Sequence, residues 1–198
     1  MKKDIILSGV GGQGILSIAA IIGLAAIEKK LFVKQSEVHG MSQRGGAVQS
    51  HLRISDKEIA SDLIPYGESD IIISVEPMEA LRYLPFLSSH GWIITSTTPF
   101  VNIPNYPDLD ALLNQINSYK NVIAINADEV ARRIKTPKAS NVVILGAASP
   151  FLEIPLENLE GGIRSLFGRK GEEIINMNIT ALNAGVEESK KYYQLSGL

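Results

Sequence analysis

Short apolar runs alternate along this chain with longer stretches in which apolar residues recur at helical spacing. The first run, Ile5-Ile6-Leu7, predicts a strand over Asp4 to Leu7. Behind it Ile15, Leu16, Ala19, Ala20, Ile22, Gly23, Ala26 and Ile27 make one broad apolar face, which predicts a helix from about Gly12 to Lys29. A second strand is expected near Phe32 to Glu37. Further on, Val48, Ser50, Leu52 and Ile54 alternate with Gln49, His51 and Arg53, the period of a half-buried strand. Ser55-Asp56-Lys57 is a turn, with Glu58 to Ser61 returning as a short partner strand. Asp70 to Val75 is almost continuously apolar, as in a central strand of a parallel sheet.

Pro77 suits the first position of a helix ending near Leu87. Trp92 to Ser96 is another buried strand. After a loop carrying Pro99, Pro104 and Pro107, a helix is expected over Asp108 to Ser118 and a strand over Val122 to Ile125. Helices follow over Ala127 to Ile134, Asn141 to Ala148, Pro155 to Phe167 and Glu172 to Tyr192. Strands separated by helices, with no repeat, low-complexity tract or linker-like boundary, predict an α/β chain. The expected form is a single Rossmann-like three-layer domain over residues 1–198, with a mostly parallel sheet and a β-hairpin insertion after strand 2.

Composition mainly excludes. The 198 residues are enough to bury a full core, and 45% hydrophobic with 20% charged residues describes a soluble globular protein. A net charge of −2 without blocks of like charge leaves no footprint for nucleic acid. There is no cysteine, hence no disulfide, no Cys-ligated iron–sulfur cluster and no thiol nucleophile. His39, His51 and His90 are too scattered to form a metal constellation. Met1-Lys2-Lys3 ahead of an apolar stretch raises a secretion-signal reading. Asp4 and the glycines that follow interrupt that stretch, and Ile15 to Ile27 is too short to span a bilayer, so a cytoplasmic location without membrane contact is expected.

The interrupting residues are themselves informative. Gly9, Gly11 and Gly14 match G-x-G-x-x-G between a predicted strand and a predicted helix. Glycine allows a tight turn and a close backbone approach, and the helix N-terminus offers free N–H groups to an anion. Three readings stay open: a dinucleotide site, a phosphate or other anion contact through Gly9, Gly11, Gly12, Gln13 and Gly14, or a turn needed only for packing. Glu37 stands where a ribose-binding acid would, but it leads into "VHGMSQRGG" rather than a second βαβ helix. A Walker A loop is excluded, since Ile15-Leu16 follow Gly14 where Lys and Ser or Thr are required. On the anion reading, the amides of Gly12, Gln13 and Gly14 should be exposed.

The second informative stretch is "EVHGMSQRGGAVQSHLR", residues 37 to 53. His39, Gln43 and Arg44 sit among glycines at the expected carboxyl end of a strand, where open α/β sheets place ligands. They face either an active site or a solvated turn. The segment Val38 to Gly46 should lie beside the Gly9–Gly14 loop, because both follow strands that run the same way. Ser8 and Ser17 have no histidine nearby in sequence, Glu76 and Glu79 beside Pro77 read as helix N-terminal charges, and Arg132-Arg133 as a solvated face. No catalytic residue is assigned.

Together "GVGGQGILS" and "SEVHGMSQRGGAVQSHLR", with "NVVILGA" at 141–147 and "NITALNAG" at 178–185, resemble the gamma-type domain of 2-oxoacid:ferredoxin oxidoreductases over about residues 4 to 190. Within that family "EVHGMSQRGG" is more similar to the beta subunits of indolepyruvate enzymes than to the gamma subunits of pyruvate or 2-oxoglutarate enzymes. The resemblance implies a subunit inactive by itself. In the family, a partner alpha subunit carries thiamine diphosphate, magnesium and iron–sulfur clusters, and ferredoxin accepts the electrons. Coenzyme A is the co-substrate, and a heterodimer or higher heteromer is implied. The Gly loop would then be the phosphate or coenzyme A contact. A stand-alone nucleotide- or coenzyme A-binding protein of the same fold is the alternative.

Overall fold

The computed structural model describes residues 1–39 and 45–196, without the side chains of His39 and residues 193–196. Six strands form one sheet: β1 (Lys2–Val10), β2 (Phe32–His39), β3 (Ala47–Ser55), β4 (Ser69–Ser74), β5 (Leu87–Ser96) and β6 (Val122–Ile125). Their order is β2-β3-β1-β4-β5-β6. β1, β4, β5 and β6 pair in parallel, and β3 runs antiparallel to both β1 and β2. β2 therefore points the same way as β1 and ends at the same edge.

The hairpin that the alternating segment predicted is β2–β3. Glu58 to Ser61 is not its return strand, because both edges of β3 are already occupied. Side chains from the sheet hold that stretch instead. Lys34 Nζ donates to the Ala60 carbonyl at 3.2 Å, and Arg53 Nη1 to those of Ser61 and Leu63, each at 3.0 Å. Arg53 also grips the fully buried Asp4, its register partner on β1, through Nε–Oδ1 at 2.7 Å and Nη2–Oδ2 at 3.0 Å. A buried carboxylate is tolerated here because a planar fork pairs with both of its oxygens.

Strand alternation sends Ile5, Leu7, Leu52, Ile54, Ile71, Ile73 and Ile94 to one face. That face is covered by α1 (Ile15–Glu28), α4 (Ala127–Arg133), α5 (Ser140–Ala148), α6 (Leu156–Phe167) and α7 (Glu172–Ser196). On the other face Ile6 and Ile72 meet Ile64 from the 56–66 segment. α2 (Pro77–Arg82) and α3 (Leu109–Asn117) pack on the same side. His51 lies buried there, edge-on to Phe86 at 5.1 Å. Its Nδ1 accepts from the Ile64 amide at 3.0 Å, and its Nε2 lies 2.9 Å from the Gln49 side-chain amide. Burial pushes this imidazole below its ordinary pKa of 6.5, with Asp62 opposing and Arg53 reinforcing the shift.

The late motifs are packing devices. A Cβ at Gly146 would lie 2.0 Å from the Leu182 carbonyl oxygen, and one at Gly185 2.0 Å from that of Val143. α5 and α7 therefore cross backbone against backbone, with "NVVILGA" and "NITALNAG" as the two sides of the contact. Gly162 of α6 meets α1 similarly, its absent Cβ 2.5 Å from the Ile21 carbonyl oxygen.

Two outcomes are expected. Gly146→Ala or Gly185→Ala should lower stability by about 1–3 kcal/mol or more through overpacking, read as a shifted denaturation midpoint; a wild-type midpoint in both would refute backbone-level contact. For His51, the unfolded chain takes up a proton just below pH 6.5 that the folded chain refuses. Stability should therefore fall as pH drops below 6.5, and His51→Gln should flatten that slope.

Candidate functional site

The connection from β1 runs across the face carrying α1, and that from β4 across the face carrying α2. Neighbouring strands with diverging connections open a crevice at their carboxyl ends, the usual ligand position in an open α/β sheet. Here those ends are the Gly loop after β1 and Val75-Glu76 after β4.

Each glycine of the loop has a different reason to be there. A Cβ on Gly9 would sit 2.5 Å from Val75 Cγ2 and 2.6 Å from Ile15 Cδ1, so Gly9 lets β1, β4 and α1 converge. Gly12 has φ +103° with open space around its absent Cβ. Gly14 has φ +80°, and its Cβ would strike the Asn141 side chain at 2.6 Å. Asn141 Nδ2 donates to the Gly14 carbonyl at 3.0 Å, tying the start of α1 to α5. Left-handed backbone at Gly12 and Gly14 is costly for any residue with a Cβ.

The amides divide. Gln13 N donates to the Val10 carbonyl at 3.1 Å, and Val10 N to Gln13 Oε1 at 2.8 Å, so Gln13 closes the turn rather than offering its amide. This corrects the expectation of three exposed amides. Gly11 N is engaged with the Gly46 carbonyl at 2.8 Å. Among the described residues the amides of Gly12 and Gly14 meet no backbone acceptor. α1 has no acidic residue in its first turn and, among the described residues, no capping side chain, so nothing described there answers its positive end.

That end borders a cleft of about 310 Å³ to which Ser17, Lys138, Asn141, Phe167 and Lys170 contribute. Lys170 Nζ lies 5.2 Å from the centre of the Phe167 ring. The loop also borders an apolar cleft of about 270 Å³ beside Ile15, Leu16 and Val48. A helix start without a side-chain cap and two lysines bordering one cleft suit an anion. Among the described residues no group of three His, Asp or Glu side chains could hold a metal ion, and no helix is long and apolar enough to cross a membrane.

Of the segment expected beside the Gly loop, the described Gly45 and Gly46 meet it: Gly45 N donates to the Gly11 carbonyl at 3.4 Å, in addition to the bond from Gly11 N to the Gly46 carbonyl, and residues 40–44 lie outside the described residues. His39 ends β2 at this edge, although its side chain, and Gln43 and Arg44 entirely, lie outside the described residues.

Glu76 and Glu79 are more than N-terminal charges. Glu76 is fully buried and caps α2 by accepting from the Glu79 amide at 2.8 Å through Oε2. Its Oε1 accepts from the Phe100 amide at 3.3 Å and from the Tyr106 hydroxyl. Burial and this carboxylate push the Tyr106 hydroxyl far above its usual range. Glu79 is also buried, its pKa raised by desolvation and partly offset by Arg82 at 2.9 Å. The cap was legible in Glu76-Pro77. Its second partner was not, because Phe100 and Tyr106 lie more than twenty residues away.

A model of the family described as pyruvate ferredoxin/flavodoxin oxidoreductase matches residues 4–188. The indolepyruvate oxidoreductase subunit IorB of Archaeoglobus fulgidus is 36% identical over 198 residues, covering 96% of each chain. IorB of Methanothermobacter thermautotrophicus is 38% identical, covering 93% of this chain and 96% of its own. The 2-oxoglutarate synthase subunit KorC of Methanocaldococcus jannaschii is 30% identical, covering 96% of each. The fold is that of pyruvate oxidoreductase subunit PORC of Thermotoga maritima (TM-score 0.71, 21% identity), covering 94% of this chain and 96% of that one. It is also that of part of the 2-oxoglutarate:ferredoxin oxidoreductase of Magnetococcus marinus, solved with 2-oxoglutarate, coenzyme A and succinyl-CoA bound (TM-score 0.76, 22% identity). That match covers 96% of this chain and 31% of the longer one.

Gly9→Ala should destabilise the fold by about 1–3 kcal/mol, because its Cβ meets packed side chains. Gly12→Ala should cost only about 1–2 kcal/mol of backbone strain while placing a methyl at the open loop. Denaturation midpoints check the ranking; a larger loss at Gly12 would reverse these roles.

Proposed function

The chain belongs to the pyruvate ferredoxin/flavodoxin oxidoreductase family, and from that premise we propose that it is the beta subunit of an enzyme oxidising indolepyruvate or a related aryl pyruvate. Residues 1–198 act as one gamma-type domain. The higher identity to the two IorB subunits than to KorC supports this over a gamma subunit of a pyruvate- or 2-oxoglutarate-type enzyme. The reaction is oxidative decarboxylation of the 2-oxoacid to an acyl-CoA, with electrons passed to ferredoxin. A chain without cysteine cannot ligate a cluster through thiolates. The chemistry of thiamine diphosphate, magnesium and iron–sulfur clusters therefore falls to the alpha subunit, in a cytoplasmic heterodimer or higher heteromer.

What this chain contributes is a place for the acyl acceptor. The observation that carries the reading is the uncapped N-terminus of α1, opening on a cleft that Lys138 and Lys170 also border. Phosphate groups of coenzyme A are the co-substrate's anions, and these donors answer them without needing a side chain from the Gly loop itself. Asn141 keeps the loop seated by holding the Gly14 carbonyl. His39, Gln43 and Arg44, on the hairpin that leaves the same sheet edge, are assigned to the face turned toward the alpha subunit's reaction centre.

In the assembled enzyme Lys138→Ala and Lys170→Ala should each raise the KM for coenzyme A by about tenfold with kcat retained, as when binding common to ground and transition states is removed. Arg44→Ala and His39→Ala should lower turnover or subunit affinity without changing the fold. The isolated chain should not decarboxylate. Activity from the isolated chain, or tight nucleotide binding by it with no response of coenzyme A kinetics to either lysine, would favour the stand-alone binding protein.

A further inference from the structure

The buried carboxylate of Glu76 has a geometric reach that helix capping does not explain. One oxygen serves the cap, and the other receives two donors from the proline-bearing segment 97–107. That segment has no regular secondary structure, and it leaves Phe100, Val101 and Ile103 exposed. Its own packing is therefore a poor explanation for its shape. A carboxylate removed from water is expensive unless its oxygens are hydrogen-bonded, and here both are. From the segment Asn102 reaches across the sheet edge, its Nδ2 donating to the Gly45 carbonyl at 2.5 Å. Gly45 and Gly46 are in turn the residues whose backbone bonds hold Gly11 from both sides. The carboxylate at the end of β4 is thus joined to the Gly loop at the end of β1 by Phe100 and Tyr106, then Asn102, then Gly45.

We propose that Glu76 is a positioning residue for the acyl-acceptor site: it latches segment 97–107 to the end of β4, and through Asn102 that segment fixes the hairpin exit against the Gly loop. The proposal rests on the reading of the Gly loop as the coenzyme A site. Glu76 touches no substrate. It acts by denying the hairpin exit any other position, so that Gly12 and Gly14 stay in place at the border of the cleft. Tyr106 and Asn102 are its two intermediaries, one holding the segment and the other carrying its position to Gly45.

Glu76→Gln separates the latch from the cap. The amide oxygen can still accept from the Glu79 N–H and keep α2 started, but its NH2 then faces the Phe100 N–H, donor against donor. In the assembled enzyme this variant, Tyr106→Phe and Asn102→Ala should each raise the KM for coenzyme A by about fivefold or more, with kcat within about twofold. Hydrogen exchange by mass spectrometry on the same complexes should quicken in peptides covering 97–107 and 45–46 in Glu76→Gln and Tyr106→Phe. In Asn102→Ala it should quicken in the latter region alone, and β4 and β5 should stay protected throughout. Wild-type exchange in both regions of Glu76→Gln would overturn the latch. Faster exchange with an unchanged KM would overturn the positioning role, provided Lys138→Ala raises that KM. An unchanged KM in Lys138→Ala as well would overturn the site reading itself, and this proposal with it.

Discussion

At the carboxyl ends of β1 and β4 there is no room for a side chain on Gly9. Val75 and Ile15 occupy the space a methyl would need, at 2.5 and 2.6 Å. This approach brings the centre of the sheet, the start of α1 and the start of α2 to one point. β1 can then pair with antiparallel β3 on one side and parallel β4 on the other. The Gly loop, the hairpin exit and Glu76 meet at one edge because of it. A bulkier residue at position 9 would push α1 away from the sheet.

The helical layer is organised by the same device. α5 and α7 touch through Gly146 and Gly185, and α6 touches α1 through Gly162. Close crossings let small residues do what large ones do elsewhere, since dispersion and burial depend on proximity. They also fix positions to within a fraction of an ångström. Asn141 begins the helix that Gly146 anchors, and Asn141 holds the Gly14 carbonyl. Seating of the Gly loop is therefore tied to helix packing on the far side of α5.

Polar groups at the sheet edge complete the arrangement. Glu76 is buried with both of its oxygens hydrogen-bonded, whereas among the described residues no side chain caps the first turn of α1. α5 and α6 also start without a capping side chain, so what sets the start of α1 apart is its glycine turn and the cleft beside it. Lys138 and Lys170 border the same cleft as the Gly loop, and the proposed anion site rests on that juxtaposition.

Much of this was readable in the chain alone. Periodicity located the strands and helices to within a few residues, since burial on one face imposes a period of 2 or 3.6 on any sequence. The glycine spacing after Leu7 marked the loop, while "NVVILGA" and "NITALNAG" carried the family resemblance and only the fold showed that they pack against each other. Other features depend on partners distant in sequence, which no local pattern encodes. Glu58 to Ser61 resembled a strand until Lys34 and Arg53 proved to hold its neighbourhood by side chains. Gln13 looked like an open amide, but the turn closes on it. Glu76 gave away its cap through Pro77, a local rule, and concealed its bonds to Phe100 and Tyr106. A local pattern reports which face a residue prefers; only the folded chain decides which distant donor reaches it there.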